Sequence, residues 1–184
     1  MATINGTSGN DVINGTSSAD NIWAHGGNDV VNAGGGNDTV GGAIGNDELN
    51  GDGGNDVIYG AAGADTIDGG SGDDEFFGGS GNDELTGGSG ADTFAFENGH
   101  GDDVITDFNV SDGDTIELGG GISSFEISAG NIYDGPDGIP GTFDDIGVDC
   151  IIDTGSGSIT IEAVFDAVAL EYLIDQIADT IDIV

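Results

Sequence analysis

Apolar residues recur through the first half of the chain with a period of nine: Ile13, Ile22, Val31, Val40, Leu49, Ile58, Ile67, Phe76, Leu85 and Phe94. Each stands between two residues free to face outward, as in "VIY" at 57–59 or "ELT" at 84–86. That alternation is the mark of a short strand with one buried face. Between the strands lie turns such as "GGSGND", where glycine supplies backbone angles closed to other residues. Turn, strand, turn, strand closes one coil in two units, so the pattern predicts an all-β fold, a parallel β-roll. Ile4 keeps the register nine residues before Ile13, with Ala2 in the slot of the acid, so ten nonapeptide units plus a half repeat fill residues 1–96. A flexible glycine-rich linker has no reason to hold an apolar residue in register ten times.

After Phe96 the spacing changes. "GHGDDVI" places Ile105 two residues after Asp103, and "DGDTIEL" places Ile116 two after Asp114, each displaced by eleven instead of nine. This reads as a transition off the roll. Short strands are predicted at "SFEIS", "GVDCIID" and "SITIEAV", with the loop "DGPDGIPGTFDD" among them. From Ser158 onward glycine and proline vanish, and Val164, Phe165, Val168, Tyr172 and Leu173 fall at helical spacing. Glu171, Asp175 and Asp179 form an acidic stripe on that terminal helix, which like-charge repulsion and the helix dipole make marginal. Residues 97–184 are therefore expected to be a capping, strand-rich region ending in a helix.

Charge changes the picture. The chain carries 36 acids and no Lys or Arg, a formal net charge of −36, with 38 glycines and 36% hydrophobic residues. Nucleic acid and anionic membrane surfaces are poor partner candidates, because affinity for them comes mainly from basic side chains. No apolar run approaches the length of a membrane span, which argues against membrane insertion, and the N-terminus lacks the segments of a cleavable export signal. The single Cys150 excludes an internal disulfide framework and reads as a small buried apolar residue.

The acids are not scattered. Asp11, Asp20, Asp29, Asp38, Asp47, Asp56, Asp65, Asp74, Asp83 and Asp92 recur every nine residues, each two before its apolar partner. In a two-unit coil they stack in two columns, Asp11, Asp29, Asp47, Asp65 and Asp83 on one side, the other five on the opposite side. Coils stand about 4.8 Å apart, the strand spacing. Carboxylates stacked at that interval repel unless a cation lies between them. Calcium suits the gap, accepting six to eight oxygens at roughly 2.3–2.6 Å, whereas magnesium demands a tighter octahedron. Zinc would want His or Cys, and the chain has only His25, His100 and Cys150. Four gaps per side give about eight calcium ions in the roll. Asp103 offers a further ligand, and Asp134, Asp137, Asp144 and Asp145 in the acidic loop another site. Thr7 and Thr16 replace the leading glycine of the first two units, which weakens the expectation of calcium at that end, and His25, in the same slot, reads as a solvated turn residue.

"GGSGND.L" and "GGSGAD.F" resemble the nonapeptide of the repeats-in-toxin (RTX) family over residues 7–96. "GDDVITDF" followed by "GDTIEL" is similar to the segment after the roll in many RTX proteins, and "TIDIV" resembles the uncleaved C-terminal signal that they present to type I secretion machinery. No HExxH or GxSxG motif is present. "DTG" at 153–155 resembles the aspartic-protease triplet, but such a site needs two carboxylates and the triplet occurs once, so it reads as a strand-terminating turn. The resemblance implies a non-enzymatic calcium-binding protein, unfolded in a low-calcium bacterial cytoplasm and folding on secretion, extracellular or at the cell surface. The exposed strand edge around Ile4 suggests self-assembly into a filament or layer. The rival expectations are the secretion and folding module of an RTX enzyme or toxin, against which Met1 weighs, and a calcium-dependent adhesin or matrix binder.

Overall fold

The structure is a computed structural model and describes residues 1–109, 112–119, 122, 126–133, 147–162 and 181–183. Its strands are β1 (Thr3–Asn5), β2 (Val12–Thr16), β3 (Asn21–Gly26), β4 (Val30–Gly34), β5 (Thr39–Ile44), β6 (Glu48–Asn50), β7 (Val57–Ala62), β8 (Thr66–Ser71) and β9 (Glu75–Ser80). They continue as β10 (Glu84–Ser89), β11 (Thr93–Phe96), β12 (Gly101–Ile105), β13 (Thr115–Leu118), β14 (Glu126–Tyr133), β15 (Gly147–Asp153), β16 (Gly157–Ile161) and β17 (Ile181–Ile183). Among the described residues there is no helix, and so none long and apolar enough to cross a membrane. The terminal helix expected over 163–181 lies outside the described residues as far as 180, as does the loop at 134–145.

Successive strands alternate between two parallel sheets. One runs β1-β3-β5-β7-β9-β11-β13-β17, and the other runs from β2 through β4, β6, β8, β10 and β12 to β16. The fold is an all-β parallel solenoid, and its register follows the sequence period, with Ile58 beside Phe76 and Ile67 beside Leu85, one coil apart. The apolar residue of each unit points between the sheets. Every one from Ile22 to Phe94 is fully buried, Ile13 nearly so, and Phe76 stacks on Phe94 with ring centroids 5.0 Å apart. The buried apolar residues of successive coils form one continuous core.

Both ladders run on past Phe96. Leu85 pairs with Ile105 and Phe94 with Ile116, so the two segments of altered spacing add further rungs. The extra residues are absorbed in the turns before them. β16 then pairs in parallel with β12, and β17 with β13. The sheet of β16 ends in antiparallel pairing, β16 with β15 and β15 with β14.

Candidate metal site in two carboxylate columns

The glycines of each turn fix where its aspartate points. Gly63, Gly72, Gly81 and Gly90, each two residues before an aspartate, take φ between 132 and 142°, closed to L side chains. A Cβ on Gly81 would also overlap the carbonyl of Gly63 in the preceding coil. This tight stacking brings each aspartate over its equivalent. In one column Asp29 Oδ1 accepts the main-chain N–H of Asp11 at 2.8 Å, and the same bond repeats from Asp29 to Asp47, Asp47 to Asp65, Asp65 to Asp83 and Asp83 to Asp103 at 2.8–2.9 Å. In the other, Asp20, Asp38, Asp56, Asp74, Asp92 and Asp114 accept from Ala2, Asp20, Asp38, Asp56, Asp74 and Asp92 at 2.6–3.0 Å.

One oxygen of each carboxylate is therefore satisfied by the fold. The second is not: Oδ2 of Asp29, Asp38, Asp47, Asp56, Asp65, Asp74 and Asp83 is buried without a hydrogen-bond partner. An unpaired buried charge is among the costliest features a protein can carry. Beside Gly42, Gly51, Gly60 and Gly69 such an oxygen lies near a main-chain carbonyl of the next coil. A Cβ on Gly60 would lie 2.5 Å from Asp65 Oδ2 and 2.6 Å from the Gly78 carbonyl, and one on Gly51 would lie 2.6 Å from Asp56 Oδ2 and 2.7 Å from the Gly69 carbonyl. Carboxylate and carbonyl thus converge beside a residue that has no side chain to fill the space. The donor set is all hard oxygen, which fits calcium and not zinc. Among the described residues no three His, Cys, Asp or Glu side chains form a group able to hold a metal, so main-chain carbonyls would have to complete each site.

Electrostatics point the same way. Burial, reinforced by neighbouring carboxylates and opposed by the main-chain hydrogen bond, pushes Asp56 and Asp83 up to about 7 and Asp65 and Asp92 up to about 6. Asp38, Asp47 and Asp74 are also raised, burial being the largest cause. The column interior tolerates these groups only if a proton or a cation accompanies them.

The ends of the columns differ. Asp11 Oδ2 accepts from Thr7 N at 2.6 Å and Thr7 Oγ1 at 2.8 Å, and Asp20 Oδ2 accepts from Thr16 N at 3.0 Å and Thr16 Oγ1 at 2.7 Å. The Thr16 hydroxyl, helped by the Ala2 N–H, holds Asp20 below the usual carboxylate range. Asp114 Oδ2 accepts from Asn109 N at 2.8 Å, and Asp103 Oδ2 pairs with His100 Nδ1 at 2.7 Å. Both threonines that break the glycine pattern thus supply the donors that the interior lacks. His25 keeps the left-handed backbone of its slot at φ 79° and is exposed.

Three features escaped the sequence. Asp114 continues the second column, although it stands twenty-two residues from Asp92. "TGSGSITI" at 154–161 is a further unit in register, with Gly157 beside Gly101, Ile161 beside Ile105, and Ile159 in the aspartate slot beside Asp103. "DTG" is the turn into that unit, in which Asp153 Oδ1 accepts the Gly155 N–H at 2.8 Å. The similarity of "GSGSITI" to "GSGNDEL" was the available signal. Third, His100 pairs with Asp103. Asp134, Asp137, Asp144 and Asp145 lie outside the described residues.

The sequence profile of the RTX calcium-binding nonapeptide repeat, four copies long, matches residues 5–40, 41–76 and 68–105. No curated protein matches the chain. Among solved structures, the extracellular lipase LipA from Serratia marcescens is similar at 19% identity and a TM-score of 0.44, over 97% of this chain and 39% of the lipase. The AlgE6R3 subunit of the Azotobacter vinelandii mannuronan C5-epimerase is similar at 22% identity and a TM-score of 0.37, over 95% of this chain and 79% of the subunit. The chain therefore spans about two fifths of the lipase's length. With the repeat profile covering more than half of its residues, the chain belongs to the RTX calcium-binding nonapeptide repeat family.

Proposed function

We propose that this chain is a secreted, non-enzymatic protein whose fold is completed by calcium bound along both columns. RTX repeats bind calcium; the ligands proposed in this chain are the aspartates of the column interiors, with main-chain carbonyls of the turns, at about eight positions. The observation that carries the assignment is the run of seven buried, unpaired Oδ2 atoms. Each needs a cation wherever it is ionised, the chain has no Lys or Arg to supply one, and metal binding then becomes folding energy. In low calcium the ordering entropy and the stacked carboxylates oppose folding. The chain leaves the bacterial cell unfolded through a type I secretion route and folds outside.

Flow dialysis with radioactive calcium on the refolded chain tests this: about eight ions per chain are expected, and a count of zero or one would contradict it. Self-assembly into a filament or layer is the finer part of the proposal. It is supported by the outer edges of β1 and β2, the first strands of the two ladders, which lack a neighbour among the described residues. Sedimentation velocity in millimolar calcium is expected to show concentration-dependent growth, and a monodisperse monomer would rule that part out.

A further inference from the structure

The column that contains Asp83 ends differently from its interior. Asp103 Oδ1 accepts the Asp83 N–H at 2.9 Å, as Asp29, Asp47, Asp65 and Asp83 each accept from the aspartate one coil earlier, but Asp103 Oδ2 is held by His100 Nδ1 at 2.7 Å. The imidazole is buried, its Nε2 is 2.8 Å from Thr154 Oγ1, and it makes a T-shaped contact with the Phe96 ring, centroids 5.3 Å apart. His100 stands three residues before Asp103. Ser71 and Ser80 hold that position before Asp74 and Asp83, and in both those units Oδ2 is unpaired. Asn98 likewise stands where those units have Gly69 and Gly78. Thr154 opens the next coil, whose aspartate slot holds Ile159, so no further carboxylate follows.

A buried carboxylate oxygen is satisfied either by a cation or by an N–H donor. In the interior the fold supplies no donor, whereas at Asp103 it supplies one and packs a ring into the space beside it. We infer that His100 is the stop residue of this calcium column: its imidazole takes the place of the cation beside Asp103, so the Asp103 loop binds no calcium. The same ring ties the roll to the β15–β16 turn through a hydrogen-bond chain that contains no metal. A hydroxyl, an imidazole and a carboxylate in series have the connectivity of a hydrolase triad. Here, however, Thr154 is 9% exposed and its Oγ1 also donates to the Gly157 carbonyl at 3.0 Å, so the chain is a clamp.

This inference rests on the reading that the unpaired Oδ2 atoms are calcium ligands. Native mass spectrometry of the calcium-saturated full chain separates the two. The double variant Asn98→Gly/His100→Ser restores "GGSGDD" at 98–103 and is expected to carry one ion more than the unmodified chain. His100→Asn, whose Nδ2 replaces the Nδ1 donor, is expected to keep the unmodified count. Equal counts for the double variant and the unmodified chain, or a gain in His100→Asn, overturn the inference, and an unmodified chain without calcium overturns the reading beneath it. Anomalous scattering from crystals of the unmodified chain in calcium requires no variant to fold: no ion is expected within ligand distance of Asp103, and an ion there overturns the inference.

Discussion

The interior and the ends of the carboxylate columns are built from the same backbone and the same residue, yet they solve opposite problems. From Asp29 to Asp83 the second carboxylate oxygen is buried and unpaired. At Asp11, Asp20, Asp103 and Asp114 a threonine, a histidine or a main-chain N–H satisfies it. The difference teaches that the roll is incomplete as a polypeptide only in its interior. On the proposed reading the missing partner between Asp29 and Asp83 is a cation from solution, and where a run of stacked aspartates starts or stops the sequence writes the partner into the turn.

The largest effect should come from removing calcium at neutral pH. Far-UV circular dichroism in chelator is expected to lose most of the strand signal of the interior coils and regain it with millimolar calcium. Next comes a direct contrast within one column. Asp65→Asn should raise the calcium midpoint of folding about tenfold, roughly 1.4 kcal/mol, because it weakens a ligand without a substitute. Asp11→Asn, whose oxygen already has two donors from Thr7, should shift it by less than about twofold, within the range of ordinary surface changes. If both variants behave alike, interior and end do not differ in the way described.

Filling the cradle tests the same contrast from the glycine side. Gly60→Ala places a methyl group against Asp65 Oδ2 and the Gly78 carbonyl, and should cost about 1–3 kcal/mol of calcium-loaded stability in thermal unfolding. A Cβ on Gly9 would meet nothing within 4 Å, so Gly9→Ala should be neutral to about 0.5 kcal/mol.

Acid offers a smaller, graded test. Asp56 and Asp83 sit at about 7 and Asp65 and Asp92 at about 6, against an ordinary value of 3.8. The folded chain without metal therefore binds more protons than the unfolded chain between these limits. Its stability should be greatest near and below pH 4 and should fall as pH rises through 6–7. The calcium-loaded chain should show the reverse trend across that window, because protons displace the metal. Chelated protein monitored from pH 4 to 8 should thus lose strand signal on the alkaline side, and a gain there would contradict the sign.

Much of the fold was legible because each unit writes both of its essentials, the core residue and the acid, at fixed offsets. Ile58 and Asp56 need no knowledge of the rest of the chain to be placed. Legibility failed where the period was interrupted or an essential was replaced. The two extra residues before Asp103 broke the spacing, although the turn simply absorbs them, and Ile159 hid a whole unit by occupying the aspartate slot. His100 was invisible as a clamp because one of its partners, Thr154, lies 54 residues away. The unequal roles of the two carboxylate oxygens could not be read at all, since they arise from coil stacking and not from any one repeat.

The most direct test of the account is the position of calcium in crystals of the unmodified chain, located by anomalous scattering. Ions are expected about 2.3–2.6 Å from the unpaired Oδ2 atoms of Asp29, Asp38, Asp47, Asp56, Asp65, Asp74 and Asp83, with none at Asp11 or Asp103. Ions gathered at the column ends, with the interior Oδ2 atoms left unligated, would contradict it.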